Sequence, residues 1–176
     1  LCTASSSSAT LVVNINPSIA STEPNQNLCN VASVNLTGNT PSEGTGVWTQ
    51  TSGPMDAVIA DTTDPTTSVT IGNGVYEFTW TVSNACSSSS STIRVSNAIN
   101  ANAGMNQEFC NFNNFSLSSN EAIVGVGTWT LVTGPNVPTI VNPNSPTTNI
   151  TGIVASATPY VFQWEITGAT GCGTTN

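Results

Sequence analysis

One stretch constrains this chain more than any other: Val75–Cys86, VYEFTWTVSNAC. Tyr76, Phe78, Trp80 and Val82 fall on one parity; Val75, Glu77, Thr79 and Thr81 fall on the other. A period of two predicts a strand with one buried, strongly aromatic face. The stretch returns as Pro159–Cys172, PYVFQWEITGATGC, with Tyr160, Phe162, Trp164 and Ile166 on the apolar parity. A strand that occurs twice, each time closed by a turn and a cysteine, implies a unit that occurs twice.

The register of the copy is tight. Asn25-Gln26 recurs as Asn106-Gln107, and Cys29 as Cys110, both 81 residues on. Trp48 and Trp129, Gly53-Pro54 and Gly134-Pro135, and Pro65-Thr-Thr and Pro146-Thr-Thr keep the same spacing. The offset grows to 84 at Tyr76/Tyr160 and to 86 at Cys86/Cys172. Those insertions fall in turns, where loops tolerate them. The opening residues, Cys2 through Ile15, match the stretch from Cys86 to Val95. They read as the last strand of a preceding repeat. The expected organisation is therefore 1–16 as that strand, 17–96 as the first repeat, and 97–176 as the second, lacking its own final strand. The chain reads as cut from something longer, with targeting signals lying elsewhere.

Within the first repeat, strands are expected at about 17–23, 31–37, 46–51, 57–60, 67–71, 75–83 and 90–96. Gly38-Asn39-Thr40-Pro41, Gly53-Pro54, Asp64-Pro65 and Gly72-Asn73-Gly74 supply the turns between them. No 3.6-residue period runs long enough for a helix. Many short, evenly spaced strands predict an all-β fold: tandem immunoglobulin-like β-sandwich domains of about seven strands each, arranged end to end. Trp48 takes the third-strand position where such sandwiches bury a tryptophan, and Gly74-Val75-Tyr76 sits where a tyrosine corner forms.

Composition narrows the function. With Lys+Arg 1, His 0, Asp+Glu 9 and a net charge of −8, there is no basic patch for nucleic acid or anionic membrane. No apolar run reaches the roughly 18 residues a membrane span needs. Charged residues make up 6%, against about 25% in ordinary soluble domains. A surface of Ser, Thr and Asn suits an extracellular β-protein. Without histidine, a Ser-His-Asp or Cys-His arrangement is excluded within the chain. Glu23, Glu43, Asp56, Asp61, Asp64, Glu77, Glu108, Glu121 and Glu165 are scattered, so no catalytic residue and no cofactor is expected. Asp61-Thr-Thr-Asp64 is a calcium candidate, since two carboxylates in one loop can meet a hard cation. The second repeat has Asn142 and Ser145 there, and solvated turn residues are the competing reading.

Five cysteines without a C-x-x-C or a histidine argue for disulfides over zinc. The expected bridges lie within each repeat, Cys29–Cys86 and Cys110–Cys172, leaving Cys2 to a partner outside the chain. Each would close a loop of roughly sixty residues and contribute about 4 kcal/mol on the chain-entropy estimate.

The first repeat strings together Asn-Gln-x-x-Cys, Val-x-Leu-x-Gly-Asn-x-Pro, Gly-x-Gly-x-Trp, Ser-Gly-Pro, Asp-Pro-Thr-Thr-Ser-Val and Tyr-x-Phe-x-Trp-x-Val-Ser-Asn-x-Cys. As a set this resembles the PKD-like, immunoglobulin-like tandem repeats of very large Bacteroidetes cell-surface adhesins, including those of gliding motility. The resemblance covers essentially the whole chain. It implies export through type IX secretion, display at the cell surface, and work as a stalk or part of an adhesive filament. The implied partners are neighbouring repeats of the same chain, surface polysaccharide or other adhesin copies. In the second repeat, Ser118-Ser119-Asn120-Glu121 stands where the first has Thr37-Gly38-Asn39-Thr40, which leaves the shape of that turn open. A different function class also fits a sandwich: a carbohydrate-binding module of a secreted polysaccharide-degrading protein. That reading needs aromatic side chains exposed on a face or loop.

Overall fold

The computed structural model describes residues 3, 6–13, 15–55, 57–110, 115–168 and 172, and all regular structure among them is β. The first repeat forms β1 (Gln26–Cys29), β2 (Ser33–Thr37), β3 (Thr45–Ser52), β4 (Val58–Ile59), β5 (Thr66–Thr70), β6 (Gly74–Ser83) and β7 (Ser88–Ala98). The second forms β8 (Phe115–Ser118), β9 (Val126–Thr133), β10 (Thr139–Ile140), β11 (Thr147–Thr151) and β12 (Val161–Thr167).

In the first repeat one sheet runs β1-β7-β6-β3 and the other β2-β5-β4. The alternation in β6 explains why that strand is central. Its inner parity places Tyr76, Phe78, Trp80 and Val82 at 0% exposure. Each such burial contributes about 1.5–3 kcal/mol. Ten register pairs bind β6 to β7 on one side, and β3 holds the other. From β7 come Ile93 and Val95; the opposing sheet supplies Val34, Leu36 and Val69. The outer parity is polar and paired as well: Thr79 Oγ1 lies 2.9 Å from Thr92 Oγ1 and 3.2 Å from Thr51 Oγ1. Glu77 lies opposite Arg94 in the ladder.

Trp48 on β3 and Trp80 on β6 face each other in register, with ring centroids 5.2 Å apart. Gly46 makes room for them. A Cβ there would sit 1.9 Å from Trp80 Cζ2, so the Gly-x-Gly-x-Trp motif is a packing motif. The tyrosine corner forms as expected: the Gly72 amide donates to Tyr76 Oη at 3.1 Å.

Three details differ from the sequence expectation. Residues 17–23 make a single bridge, Thr22 to Gly38, instead of a strand. Pro17 and Pro24 lack ladder donors, and the segment is held by irregular bonds such as Ser18 N to Glu43 O at 2.9 Å. The edge strand is instead β1, polar and without alternation, which pairs in parallel with the end of β7. β7 also runs on to Ala98, two residues past the expected boundary at 96. Asn97 is the reason: fully buried, it donates to Val31 O and Gly72 O at 2.8 Å each and accepts from Val31 N at 3.1 Å.

The described residues of the opening segment, 6–13, form no strand, and Leu11, Val12 and Val13 are 70–87% exposed.

Candidate functional site

The second repeat rebuilds several of the first repeat's bonds at matching positions. The Trp48 amide donates to Thr62 O at 2.7 Å, and the Trp129 amide to Pro143 O at 2.7 Å. Their indole N–H groups donate to Pro65 O and Pro146 O, both at 3.3 Å. Trp129 and Trp164 repeat the 5.2 Å pairing, and a Cβ on Gly127 would sit 2.0 Å from Trp164 Cζ2. Val154 N donates to Tyr160 Oη at 2.9 Å, a second tyrosine corner. The turn left open by sequence has the same shape in both. Asn39 Nδ2 reaches Ile19 O at 3.0 Å while its Oδ1 takes Ser21 N at 2.8 Å; Asn120 reaches Asn100 O at 2.9 Å and takes Asn102 N at 2.7 Å. The asparagine makes the turn in both repeats; Ser119, in place of Gly38, adds a bond from its hydroxyl to Pro146 O at 3.1 Å.

Trp48, Trp80, Trp129 and Trp164 are all at most 3% exposed. None offers a ring to a sugar.

The Asp61/Asp64 loop is explained by its own backbone. Asp61 Oδ1 accepts from Thr63 N and Thr63 Oγ1, both at 2.8 Å, and Asp64 Oδ1 from Thr66 N at 2.9 Å. The Thr63 amide and hydroxyl hold the Asp61 carboxyl below the ordinary carboxylate range. The matching loop closes with Asn142 N on Thr148 Oγ1 at 2.8 Å, as Asp61 N closes on Thr67 Oγ1 at 3.0 Å. Among the described residues no three His, Cys, Asp or Glu side chains gather as a metal cluster. Asp56 lies outside them.

The cysteines overturn the expected pairing. Cys29 is bonded to Cys172, with Cα atoms 4.9 Å apart, and Cys86 and Cys110 are exposed free thiols. The register gives the reason. Cys29 stands opposite Ala98 at the end of β7, whereas Cys86 lies in the turn before β7 begins. Twelve residues of extended chain separate those points, roughly 40 Å; a disulfide spans at most about 7 Å between Cα atoms. Leu36, Phe78 and Trp80 pack in the core between the layers. Cys110–Cys172 fails likewise. Cys172 is bonded to Cys29, and Cys110 is an exposed free thiol. The observed bond therefore joins the two repeats. Cys2 lies outside the described residues.

One cleft, of about 220 Å³, opens beside Trp164, lined also by Glu121, Gly125, Asn144 and Pro146. Trp164 Nε1 is buried without a hydrogen-bond partner among the described residues.

No helix among the described residues is long and apolar enough to cross a membrane. No protein-family model matches the sequence, and no curated protein matches it. Solved structures do. A three-immunoglobulin-domain structure of titin I67–I69 (an E-to-A variant) is 13% identical, with a TM-score of 0.55 over 90% of this chain and 63% of that one. The titin A168–A169 structure is 10% identical, at 0.50, over 78% and 83%. The PKD domain from KIAA 1837 protein is 24% identical, at 0.39, over 53% of this chain and 93% of that domain. These likenesses concern the fold alone: the chain is an all-β protein with immunoglobulin-like sandwich architecture.

Proposed function

We propose that the chain is a structural and adhesive repeat segment of a long secreted cell-surface adhesin. In this reading it is a stalk or filament element in surface attachment or gliding motility, exported by type IX secretion in a Bacteroidetes cell. Residues 1–16, 17–96 and 97–176 then belong to three successive repeats. The observation that carries the reading is the repetition of one sandwich skeleton at matched positions, cross-linked between its copies by Cys29–Cys172. A rod needs copies joined stiffly, and neither copy displays a cluster of acids, bases or nucleophiles among the described residues. The polar, nearly uncharged surface of Ser, Thr and Asn supports an extracellular setting, as does the disulfide. Its partners are neighbouring repeats, with surface polysaccharide or further adhesin copies outside them. The carbohydrate-module reading gains no support from the four tryptophans, which are committed to cores.

The test is antibody labelling of intact cells of the source organism, followed by in-frame deletion of the segment. Surface labelling, with attachment or gliding impaired on deletion while secretion persists, is the expected result. Labelling confined to lysed cells would overturn the reading. Saturable glycan-array binding by the isolated chain would favour the carbohydrate module.

A further inference from the structure

The Cys29–Cys172 bond has a rule in it. One partner follows Asn-Gln-x-x at the close of the first repeat's edge strand; the other ends the turn after the second repeat's aromatic strand. Each position recurs in the other repeat. Cys110 follows Asn106-Gln107 as Cys29 follows Asn25-Gln26, and the two glutamines are anchored alike: Gln26 Nε2 donates to Asn35 O at 2.9 Å, Gln107 Nε2 to Ser116 O at 3.2 Å. Cys86 follows β6 as Cys172 follows β12, just past the pairs Ser83–Thr45 and Thr167–Val126. Cys86 is held in its turn by its amide, which donates to Asn84 Oδ1 at 2.9 Å. So the two free thiols occupy the positions whose counterparts are bonded to each other, and both are exposed.

We propose that Cys86 and Cys110 are half-clamps for adjoining repeats of the same kind. Cys86 closes on the Cys110-type cysteine of the repeat before it, and Cys110 on the Cys86-type cysteine of the repeat after it. Each junction then has two attachments, the peptide chain running on from Ala98 or its equivalent and one disulfide. Two attachments suppress the bending and twisting that a single linker leaves free. The staple sits between units and leaves each core to its tryptophan pair. Formation is an oxidation: both thiols lose their protons, the two sulfurs bond, and two electrons pass to a small-molecule disulfide such as oxidised glutathione, which is released as two thiols. The inference rests on the repeat geometry and stands apart from any adhesive role.

Two full copies of the chain joined head to tail, with Cys2→Ser in both, test it. The tether holds Cys110 of the first copy and Cys86 of the second at high effective concentration. After equilibration in a reduced/oxidised glutathione buffer, thiol titration under denaturing conditions is expected to find two free cysteines instead of four. Peptide mapping is expected to show Cys29–Cys172 retained and a new Cys110–Cys86 link. Cys86→Ser in the second copy alone should raise the count to three, and in the first copy alone should lower it to one. Four free thiols, glutathione adducts on both cysteines, or a count that falls by the same amount whichever copy is substituted would overturn the proposal. The Cys29–Cys172 peptide reports that the fold is intact in every variant.

Discussion

β6 and β12 carry the same aromatic series in the same register against the same kind of partner strand, yet they are buried differently. Phe78 and Val82 are fully buried, whereas Phe162 and Ile166 are half-buried. Leu36 is fully buried in the facing layer, and its counterpart Leu117 is not. The difference is a neighbour. β6 lies between β3 and β7, while β12 pairs with β9 alone among the described residues. β7 brings Ile93 and Val95 over the aromatic face. The indoles differ in the same sense: Trp80 Nε1 donates to Asn39 O at 3.2 Å, and Trp164 Nε1 has no partner among the described residues. The comparison teaches that the tryptophan pair and its glycine organise the sandwich, and that the strand after the cysteine turn closes it.

Trp80→Ala is expected to destabilise the first repeat by about 3–5 kcal/mol. Trp164→Ala should cost the second repeat clearly less, because that side chain sits in a half-closed core. Urea unfolding followed by near-UV circular dichroism measures both; equal costs would mean that β7 adds nothing. Gly46→Ala is expected to cost about 3 kcal/mol, through the clash with Trp80, and Gly127→Ala less, since Trp164 has room beside its cleft. Asn97→Ala strands the partly buried Val31 and Gly72 carbonyls and should cost about 2 kcal/mol, read from the same unfolding curve. Tyr76→Phe should cost about 1 kcal/mol for the lost corner bond.

The smallest effect is one of pH. Asp61 has its folded pKa lowered by Thr63, so its stabilisation is fully present above the ordinary carboxylate range. It is lost as pH falls through that range toward the folded value. Asp61→Asn should therefore flatten the acid limb of a melting-temperature profile slightly and leave neutral pH untouched. Its counterpart Asn142 already lacks the carboxylate, so Asn142→Ala should leave the acid limb unchanged.

Much of this was legible in the residues. The strand period, the buried tryptophans, the tyrosine corner and the register of the copy all follow from side-chain parity and spacing, which a single strand and its neighbours decide. β1 was not legible, because Gln26-Asn27-Leu28-Cys29 lacks alternation and exists only through its parallel pairing with β7. Asn97 was missed for a related reason: a polar residue at a strand end carries no sign that three backbone groups will meet there. The cysteine pairing failed because sequence spacing reports chain length and not which end of a sheet a residue occupies. Cys29 and Cys86 sit at opposite ends of β7, a fact that needs the ladder register. No signal in one repeat alone could have found the link between repeats. The matched positions of Cys29 with Cys110, and of Cys86 with Cys172, are equally compatible with bonds within and between repeats.

The central claim is that the staple runs between copies of the sandwich and spares its interior. Peptide mapping of the non-reduced chain, digested at low pH to block exchange, tests it most directly. The account predicts a Cys29–Cys172 peptide with Cys86 and Cys110 alkylatable beforehand. A Cys29–Cys86 peptide would contradict it.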